Sequence, residues 1–371
     1  MNYSKKKVPR VYIAATRQNN GKTTTCVGLT SLLRSRFGNV GFIKPVGQHY
    51  VKIDGKKIDE DAVLLSADSG SNDKIDDMNP IVVDRKFTRN FIENPSSQIY
   101  EKRIQKCFDR IAENKDVVVI EGTGHAGVGS IFGYNNARVA KMLDSPAIIV
   151  AGGGIGKPFD EIILNQALFE KNGVDIAGVV INKVRPEKLK EIERYMRKAL
   201  TRIGLNLLAV IPHEQYLLNP TINHILDNIE NTELINGEKN LSNSVKEIII
   251  GAMSPHQALR FFVKGTLLVT PGDRDDLILT AISLASTSRE KDEKVIAGIV
   301  LTGEVPIREE ILKVIKRTEI PVVVSHDNAY SVASKLFGML VKVRPDETKK
   351  IQLIHQLYKK YFDIEKLLDS L

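Results

Sequence analysis

Gly21, Lys22 and Thr23 sit in the stretch "ATRQNNGKTTTCVGL", directly after the apolar run "VYIAA" and at the opening of a helical pattern. A lysine at that place can reach the β/γ oxygens of a nucleotide, backbone N–H groups and the helix N-terminus surround the phosphates, and the next hydroxyl can bind Mg²⁺. The stretch therefore reads as a loop for Mg-ATP, with Arg17, Asn19, Asn20, Gly21, Lys22, Thr23 and Thr24 as its contacts. Thr16 departs from the pattern, standing where the first glycine of such a loop is expected. The competing reading is a polar turn in which Thr23 to Thr25 satisfy the free N–H groups of the first helical turn.

Magnesium on a triphosphate takes a hydroxyl and one or two carboxylates. Glu121 closes the run "VVVIEG", at the end of a strand where a doubly wound sheet opens to its ligand, and is the leading metal carboxylate; a strand-end acid facing water is the alternative. Gly122, Thr123 and Gly124 form a turn that lets backbone approach a substrate closely. His125 after them reads as a turn hydrogen-bonder rather than a catalytic base.

The elements that must position these residues are legible in the texture of the chain. From Val11 onward, β-branched runs alternate with helical patterns: "VYIAA", "GFIKPV", "VVVIEG", "AIIVAG", "IAGVVIN" and "NLLAVIP". Strands buried on both faces become nearly continuous apolar runs separated by crossover helices, so this predicts a mainly parallel, doubly wound α/β domain. Helices are expected over Lys22 to Arg36, about Asp59 to Ala67, Ser97 to Glu113, Asn135 to Leu143, Pro158 to Lys171 and Pro186 to Arg202. Near His213 to Pro220 the texture changes to an asparagine-rich polar stretch, and a second βα series follows: "EIIIGAM", "GTLLVTPGDRDD", "VIAGIVLTG" and "PVVVSH". The expected division is a nucleotide-binding domain over 1–214, a smaller α/β domain over 215–345 and a helical segment over 346–371.

In the second series Gly272, Asp273 and Arg274, Thr302 and Gly303, and Ser325 and His326 each follow a strand, so their loops converge and a small anion could meet Asp273 and Arg274. Alternatively Asp273 caps the next helix and Arg274 pairs with a nearby acid.

Composition narrows the function classes. The chain has 371 residues, 42% hydrophobic and 26% charged, enough for two cores rather than one. Cys26 and Cys107 are too few for a disulfide framework, which points to a reducing cytosol. No apolar stretch reaches the length of a membrane span, and "MNYSKKKVPR" lacks the apolar core of a signal peptide, so a cytoplasmic protein without membrane contact is expected. The formal charge of +8 suits an anionic ligand. Its lysines are scattered among glutamates on predicted helices, which speaks against nucleic acid as a partner.

The segments "AATRQNNGKT", "GFIKPVGQ", "DEDAVLL", "VVVIEGTGH", "VVINKV" and "AVIP" occur in order from Val11 to Pro212 and resemble the dethiobiotin synthase-like (BioD-like) P-loop domain at the N-terminus of long phosphotransacetylases. Dethiobiotin synthases also place threonine after their glycine, in a loop one residue longer; here Ala15 holds that glycine's place. The resemblance implies Lys44 as a catalytic lysine facing the substrate carboxylate and the transferring phosphate, Asp61 as the second metal carboxylate with Asp59 as its alternate, Asn182 as the reader of the purine edge, and a homodimer. An acid at a helix start also favours the helix dipole unaided, and Asn182 alternatively serves as a structural turn residue. Arg17 occupies the position of the signature lysine of ParA/MinD-type ATPases, which reaches the phosphates across a dimer.

"LLVTPGDRDDLIL", "AGIVLTGEVPI" and "IPVVVSHDNAYSVASKL" resemble the DRTGG domain that follows in those phosphotransacetylases, a sensing module rather than a reaction centre, although the name-giving pentapeptide is not literally present. The implied function is ATP-dependent phosphoryl transfer to a carboxylate or carbamate of a small anionic metabolite, coupled to ligand sensing. The alternatives are a non-catalytic nucleotide sensor acting on a separate enzyme such as a phosphotransacetylase, and an assembly ATPase with Arg17 acting in trans. Phosphate acetyl transfer by this polypeptide alone is not expected.

Overall fold

The computed structural model describes residues 7–95, 97–287 and 295–371; the first six residues of the N-terminal stretch lie outside them. The chain divides into two compact units, Met1–Glu214 with Glu347–Leu371, and Gln215–Asp346.

Six strands build the main sheet of the first unit: β1 (Arg10–Ala15), β2 (Val40–Ile43), β3 (Val117–Glu121), β4 (Ala147–Ala151), β5 (Ile176–Val184) and β6 (Leu207–Pro212). They form one parallel sheet in the order β6-β5-β4-β1-β3-β2. Every residue of β3 and β4 is buried, as expected for strands covered by helices on both faces. From β1 the chain crosses through helix α1 (Lys22–Phe37) to β2 on one side, whereas β4 crosses through helix α2 (Gly156–Lys171) to β5 on the other. Right-handed crossovers in opposite directions put these helices on opposite faces and open a crevice at the C-terminal end of β1. Thr16 and Glu121 both lie at that edge.

A hairpin, Tyr50–Ile53 with Lys56–Asp59, turns at Asp54 and Gly55, whose φ angles are 48° and 77°. An Asp-Gly pair is suited to such a turn, and the hairpin delivers Asp59 to the start of the helix Glu60–Ser69.

The terminal segment returns to the first unit. Its helix α3 (Thr348–Tyr361) lies on α1, where the Thr25 and Tyr358 hydroxyls are 2.7 Å apart. A Cβ on Gly28 would stand 2.1 Å from Cγ of the Tyr358 ring, so the glycine makes room for the aromatic side chain.

The second unit has its own sheet of β7 (Thr232–Asn236), β8 (Glu247–Ile250), β9 (Thr266–Pro271), β10 (Ile296–Thr302) and β11 (Val322–Ser325), in the order β7-β11-β10-β9-β8. All neighbours are parallel except β7, which runs antiparallel to β11. β7 lies inside the asparagine-rich stretch that reads as a polar boundary in the sequence. As a half-exposed edge strand it needs no continuous apolar run, and Asn236 Nδ2 anchors it by donating to the carbonyls of Ile315, Thr318 and Ile320 at 3.1, 3.0 and 2.9 Å. Among the described residues no helix is long and apolar enough to cross a membrane.

Candidate functional site

The loop from Thr16 to Gly21 joins β1 to α1. Thr16 is buried; its hydroxyl donates to Glu161 Oε2 at 2.9 Å and accepts from Asn20 Nδ2 at 2.8 Å. The side chain in the place of the missing glycine thus ties the two ends of the loop together and to α2. Glu161 also takes Arg17 Nε at 2.7 Å through its other oxygen, Oε1. Asn19 and Gly21 have φ angles of 65° and 95°. A Cβ on Gly21 would meet Asn182 Nδ2 at 2.1 Å, so conformation and space both require glycine there.

Asn182, at the end of β5, is buried. Its Nδ2 donates to Asn20 O at 3.0 Å, its Oδ1 accepts from Lys183 N at 2.8 Å, and Lys183 Nζ donates to Asn19 O at 2.7 Å. The geometry shows Asn182 bracing the phosphate loop, with one N–H and one lone pair of its amide left over. Lys183 shares that work, a part the sequence did not suggest. Thr25 N donates to Gly21 O at 2.9 Å, which closes the first turn of α1 behind Lys22, Thr23 and Thr24.

Thr23 Oγ1 donates to Glu121 Oε1 at 3.0 Å, joining the two residues that the sequence proposed for one metal. Glu121 is 1% exposed, and its second oxygen, Oε2, is buried with no hydrogen-bond partner among the described residues. A buried carboxylate oxygen left unpaired is costly, and a divalent cation shared with the Thr23 hydroxyl would satisfy it. Magnesium keeps several waters and phosphate oxygens and needs only one or two carboxylates from the protein. The residues fit such an ion, although no group of three His, Cys, Asp or Glu among the described residues could hold a metal alone.

Lys44, behind Glu121, is buried among three carboxylates: Asp59 Oδ1 at 2.8 Å, Glu121 Oε1 at 3.6 Å, and Asp61, to which it donates a short hydrogen bond. Asp59 is fully buried and occupied by backbone, accepting from Gln48 N, His49 N and Asp61 N at 2.9, 3.3 and 3.0 Å. It is the N-cap of the helix that carries Asp61. Asp61 thus stands closer to the chemistry, with Asp59 as its support.

Burial alone would lower the Lys44 amine, but Asp61, Glu121 and Asp59 outweigh it and hold that amine well above the ordinary lysine value. Burial pushes Glu121 up to about 7, against the pull of Lys44. Lys22 is lowered by burial, with Glu121 offsetting part of the effect, and forms no ion pair among the described residues. One cation is therefore locked into a carboxylate cage while the other is open to a new anion.

The turn after Glu121 is organised by Asn136, which sequence reasoning missed. Its Oδ1 accepts from Tyr12 OH and Thr123 N, both at 2.9 Å, and its Nδ2 donates to Thr123 O and His125 O at 2.8 and 2.6 Å. The only signal was an asparagine at a helix start. Thr123 Oγ1 donates to Val46 O, and a Cβ on Gly122 would meet Tyr12 and Asn136 at 2.6 and 2.7 Å. Gly124 has φ 67°. His125 Nδ1 accepts from Gly127 N at 3.2 Å, the turn contact expected of it.

In the second unit Arg274 is taken up by the chain itself. Its guanidinium holds both oxygens of Asp276 at 2.9 Å and donates to the carbonyls of Gly251 and Met253 at 2.7 Å. Four of its five donors are spent, two on Asp276 and two on the carbonyls that follow β8, which matches the reading in which Arg274 pairs with a nearby acid. Asp273 is exposed beside it.

Residues 9–221 match a family described as the AAA domain (AAA_26), and residues 225–339 match the DRTGG domain. Phosphate acetyltransferase of Nitratidesulfovibrio vulgaris is 26% identical over 367 residues, covering 96% of this chain and 51% of that protein. ATP-dependent dethiobiotin synthetase BioD of Aromatoleum aromaticum is 28% identical over 203 residues, covering 54% of this chain and 89% of that protein. The chain spans about half the length of the phosphate acetyltransferases it matches. Among solved structures, the septum site-determining protein MinD of Pyrococcus horikoshii, complexed with Mg-ADP, is similar with a TM-score of 0.35 and 16% identity, covering 57% of this chain and 83% of that one.

Proposed function

We propose, for a chain that belongs to the AAA domain family and carries a DRTGG domain behind that match, that the first unit binds Mg-ATP and transfers its γ-phosphoryl group to a carboxylate or carbamate oxygen of a small anionic metabolite. The observation that carries this is the convergence of Lys22, without an ion pair among the described residues, the Thr23 hydroxyl and Glu121 Oε2, without a hydrogen-bond partner among them, at a left-handed glycine loop. Similarity to a dethiobiotin synthetase named as ATP-dependent supports the same reading.

Lys22 would meet the β/γ oxygens. Lys44, whose amine stays charged throughout the neutral range, would turn to the transferring group only as a bound Mg²⁺ takes Glu121 and Asp61 from it, while the turn Gly122 to Gly124, whose Gly122 and Thr123 N–H groups are already taken by Ile13 O and Asn136 Oδ1, would only line the acceptor's side. Thr23 and Glu121 would hold Mg²⁺, with Asp61 beside them; when bound, the ion screens the phosphate oxygens. Asn182 would read a base edge only through the N–H and lone pair that its bracing contacts leave. A cytoplasmic homodimer, with the DRTGG unit sensing a ligand, is the setting of this reading.

The second reading is a nucleotide sensor that does not turn ATP over and acts on a separate enzyme. It is favoured by the match to phosphate acetyltransferases over half their length. Calorimetry and acceptor-dependent ADP release separate the two. Mg-ATP should bind, and Lys22→Ala should weaken it at least about tenfold, the worth of one charge-assisted contact. Unchanged affinity refutes the nucleotide site. Binding without ADP release on any carboxylate or carbamate acceptor leaves the sensor.

A further inference from the structure

The first unit holds a cavity of about 270 Å³ beside the phosphate loop, and none of Arg17 to Thr24, Lys44, Asp61 or Glu121 lines it. One wall is the turn after β4; the other is the end of β5 and the turn and helix beyond it, which bring Lys183, Arg185, Lys188 and Glu191 to the same space. Ile155 and Ile192 supply its apolar floor. The walls meet closely, since a Cβ on Gly153 would lie 2.7 Å from Lys183 O.

Arg185, Lys188 and the stem of Lys183 thus line the space with one acid, Glu191, while the Lys183 amine rests on Asn19 O at its edge. Among the described residues, neither Lys183 nor Lys188 has a carboxylate within ion-pair distance. Arg185 meets only Glu187, at 3.5 Å, with side chains 67% and 64% exposed. Such an exposed pair holds its partners weakly. The unbalanced positive charge is gathered in a concave space with a partly apolar wall, where the field of like charges is strongest and a compact multivalent anion relieves their repulsion.

We infer that this cavity binds a small oxyanion of multiple negative charge, a phosphate-bearing or polycarboxylate metabolite, at a site separate from the nucleotide loop. Lys183 connects the two. Its Nζ donates to Asn19 O at 2.7 Å, and the preceding Asn182 holds Asn20 O at 3.0 Å. An anion that draws the Lys183 amine into the cavity removes a support from Asn19, a residue in the left-handed region at φ 65°. Occupancy of the cavity and of the loop must then influence each other by the same factor. The anion site does not depend on the nucleotide reading; only this coupling does.

The test uses the full chain. Pyrophosphate and, separately, citrate are titrated by calorimetry with and without a saturating non-hydrolysable Mg-ATP analogue, into the wild type, Lys22→Ala and the double variant Arg185→Gln/Lys188→Gln. Both residues of the double variant are on a surface turn and a fold check by circular dichroism accompanies it. One equivalent of pyrophosphate or citrate should still bind with the analogue present and in Lys22→Ala, and should weaken at least about tenfold in the double variant. Binding of pyrophosphate alone assigns a phosphate-bearing ligand, and of citrate alone a polycarboxylate. Loss of binding under the analogue and in Lys22→Ala would overturn the proposal by placing the anion in the phosphate loop. Absence of binding at millimolar concentration, or a double variant that binds as well as the wild type, would overturn it too. If the analogue itself fails to bind, the nucleotide reading falls, and the comparison of Lys22→Ala with the double variant still decides the cavity.

Discussion

Replacing Glu121 by glutamine should make the first unit more stable at alkaline pH while abolishing its response to magnesium. Burial raises this carboxyl from 4.5 to about 7 in the folded protein. Between those values the folded chain keeps a proton that the unfolded chain has released, so stability falls as pH rises from about 4.5 and levels off above about 7. The whole fall is worth about 3 kcal/mol, at about 1.4 kcal/mol for each pH unit. By pH 5.5 about 1 kcal/mol of it has been spent, leaving about 2 kcal/mol between pH 5.5 and pH 8. Glutamine keeps the oxygen that accepts from Thr23. It also removes the charge from a position where Oε2 has no hydrogen-bond partner among the described residues, and Lys44 retains Asp59 and Asp61. Urea denaturation followed by circular dichroism at pH 5.5 and pH 8 measures the effect, with the transition of the second unit, which contains none of these groups, as an internal reference. The variant should gain about 2 kcal/mol on the wild type between the two pH values, and its nucleotide affinity should no longer depend on Mg²⁺. Equal pH dependence of the two proteins would refute the reasoning, because Glu121 would then be ionised in the fold without penalty.

Lys44→Ala leaves three buried carboxylates without their cation and should destabilise the first unit by about 3 kcal/mol; if phosphoryl transfer occurs, it should lower ADP release by more than it lowers Mg-ATP affinity, and equal losses in both would mean simple binding. Gly28→Ala drives a methyl into the Tyr358 ring and should cost about 1–3 kcal/mol in the first unit; an unchanged urea midpoint would mean that α3 does not pack on α1 in solution. Arg274→Ala should lower the stability of the second unit by about 2 kcal/mol, since the Gly251 and Met253 carbonyls lose charge-assisted donors. A variant that keeps its urea midpoint and loses only anion binding would make Arg274 a ligand contact.

The order of the buried strands and the outline of the nucleotide loop were legible in the sequence because they rest on local rules; the Tyr50–Asp59 hairpin and the helix Arg85–Glu93 were not. Apolar runs with β-branched residues make buried strands, Gly-Lys-Thr after such a run opens a helix, and a parallel sheet carries the C-terminal ends of all its strands to one edge. Those rules alone bring Lys22, Thr23 and Glu121 to one edge, whereas Lys44 and Asp61 joined them only through the resemblance to dethiobiotin synthases. The polar edge strand β7 escaped, because a strand exposed on one side carries no continuous apolar signature. Other contacts join residues far apart in the chain and depend on packing alone. The Thr16 hydroxyl reaches Glu161, 145 residues away, and the Thr25 hydroxyl reaches Tyr358, 333 residues away. No local pattern announces such a partner. For the same reason tertiary structure alone decided that threonine could serve in the glycine's place, that Asn182 braces the loop, that Asn136 organises the turn after Glu121 and that Arg274 is spent on Asp276 and the carbonyls that follow β8. A side chain's type fixes which bonds it can make, but only the folded chain fixes which of them are already made.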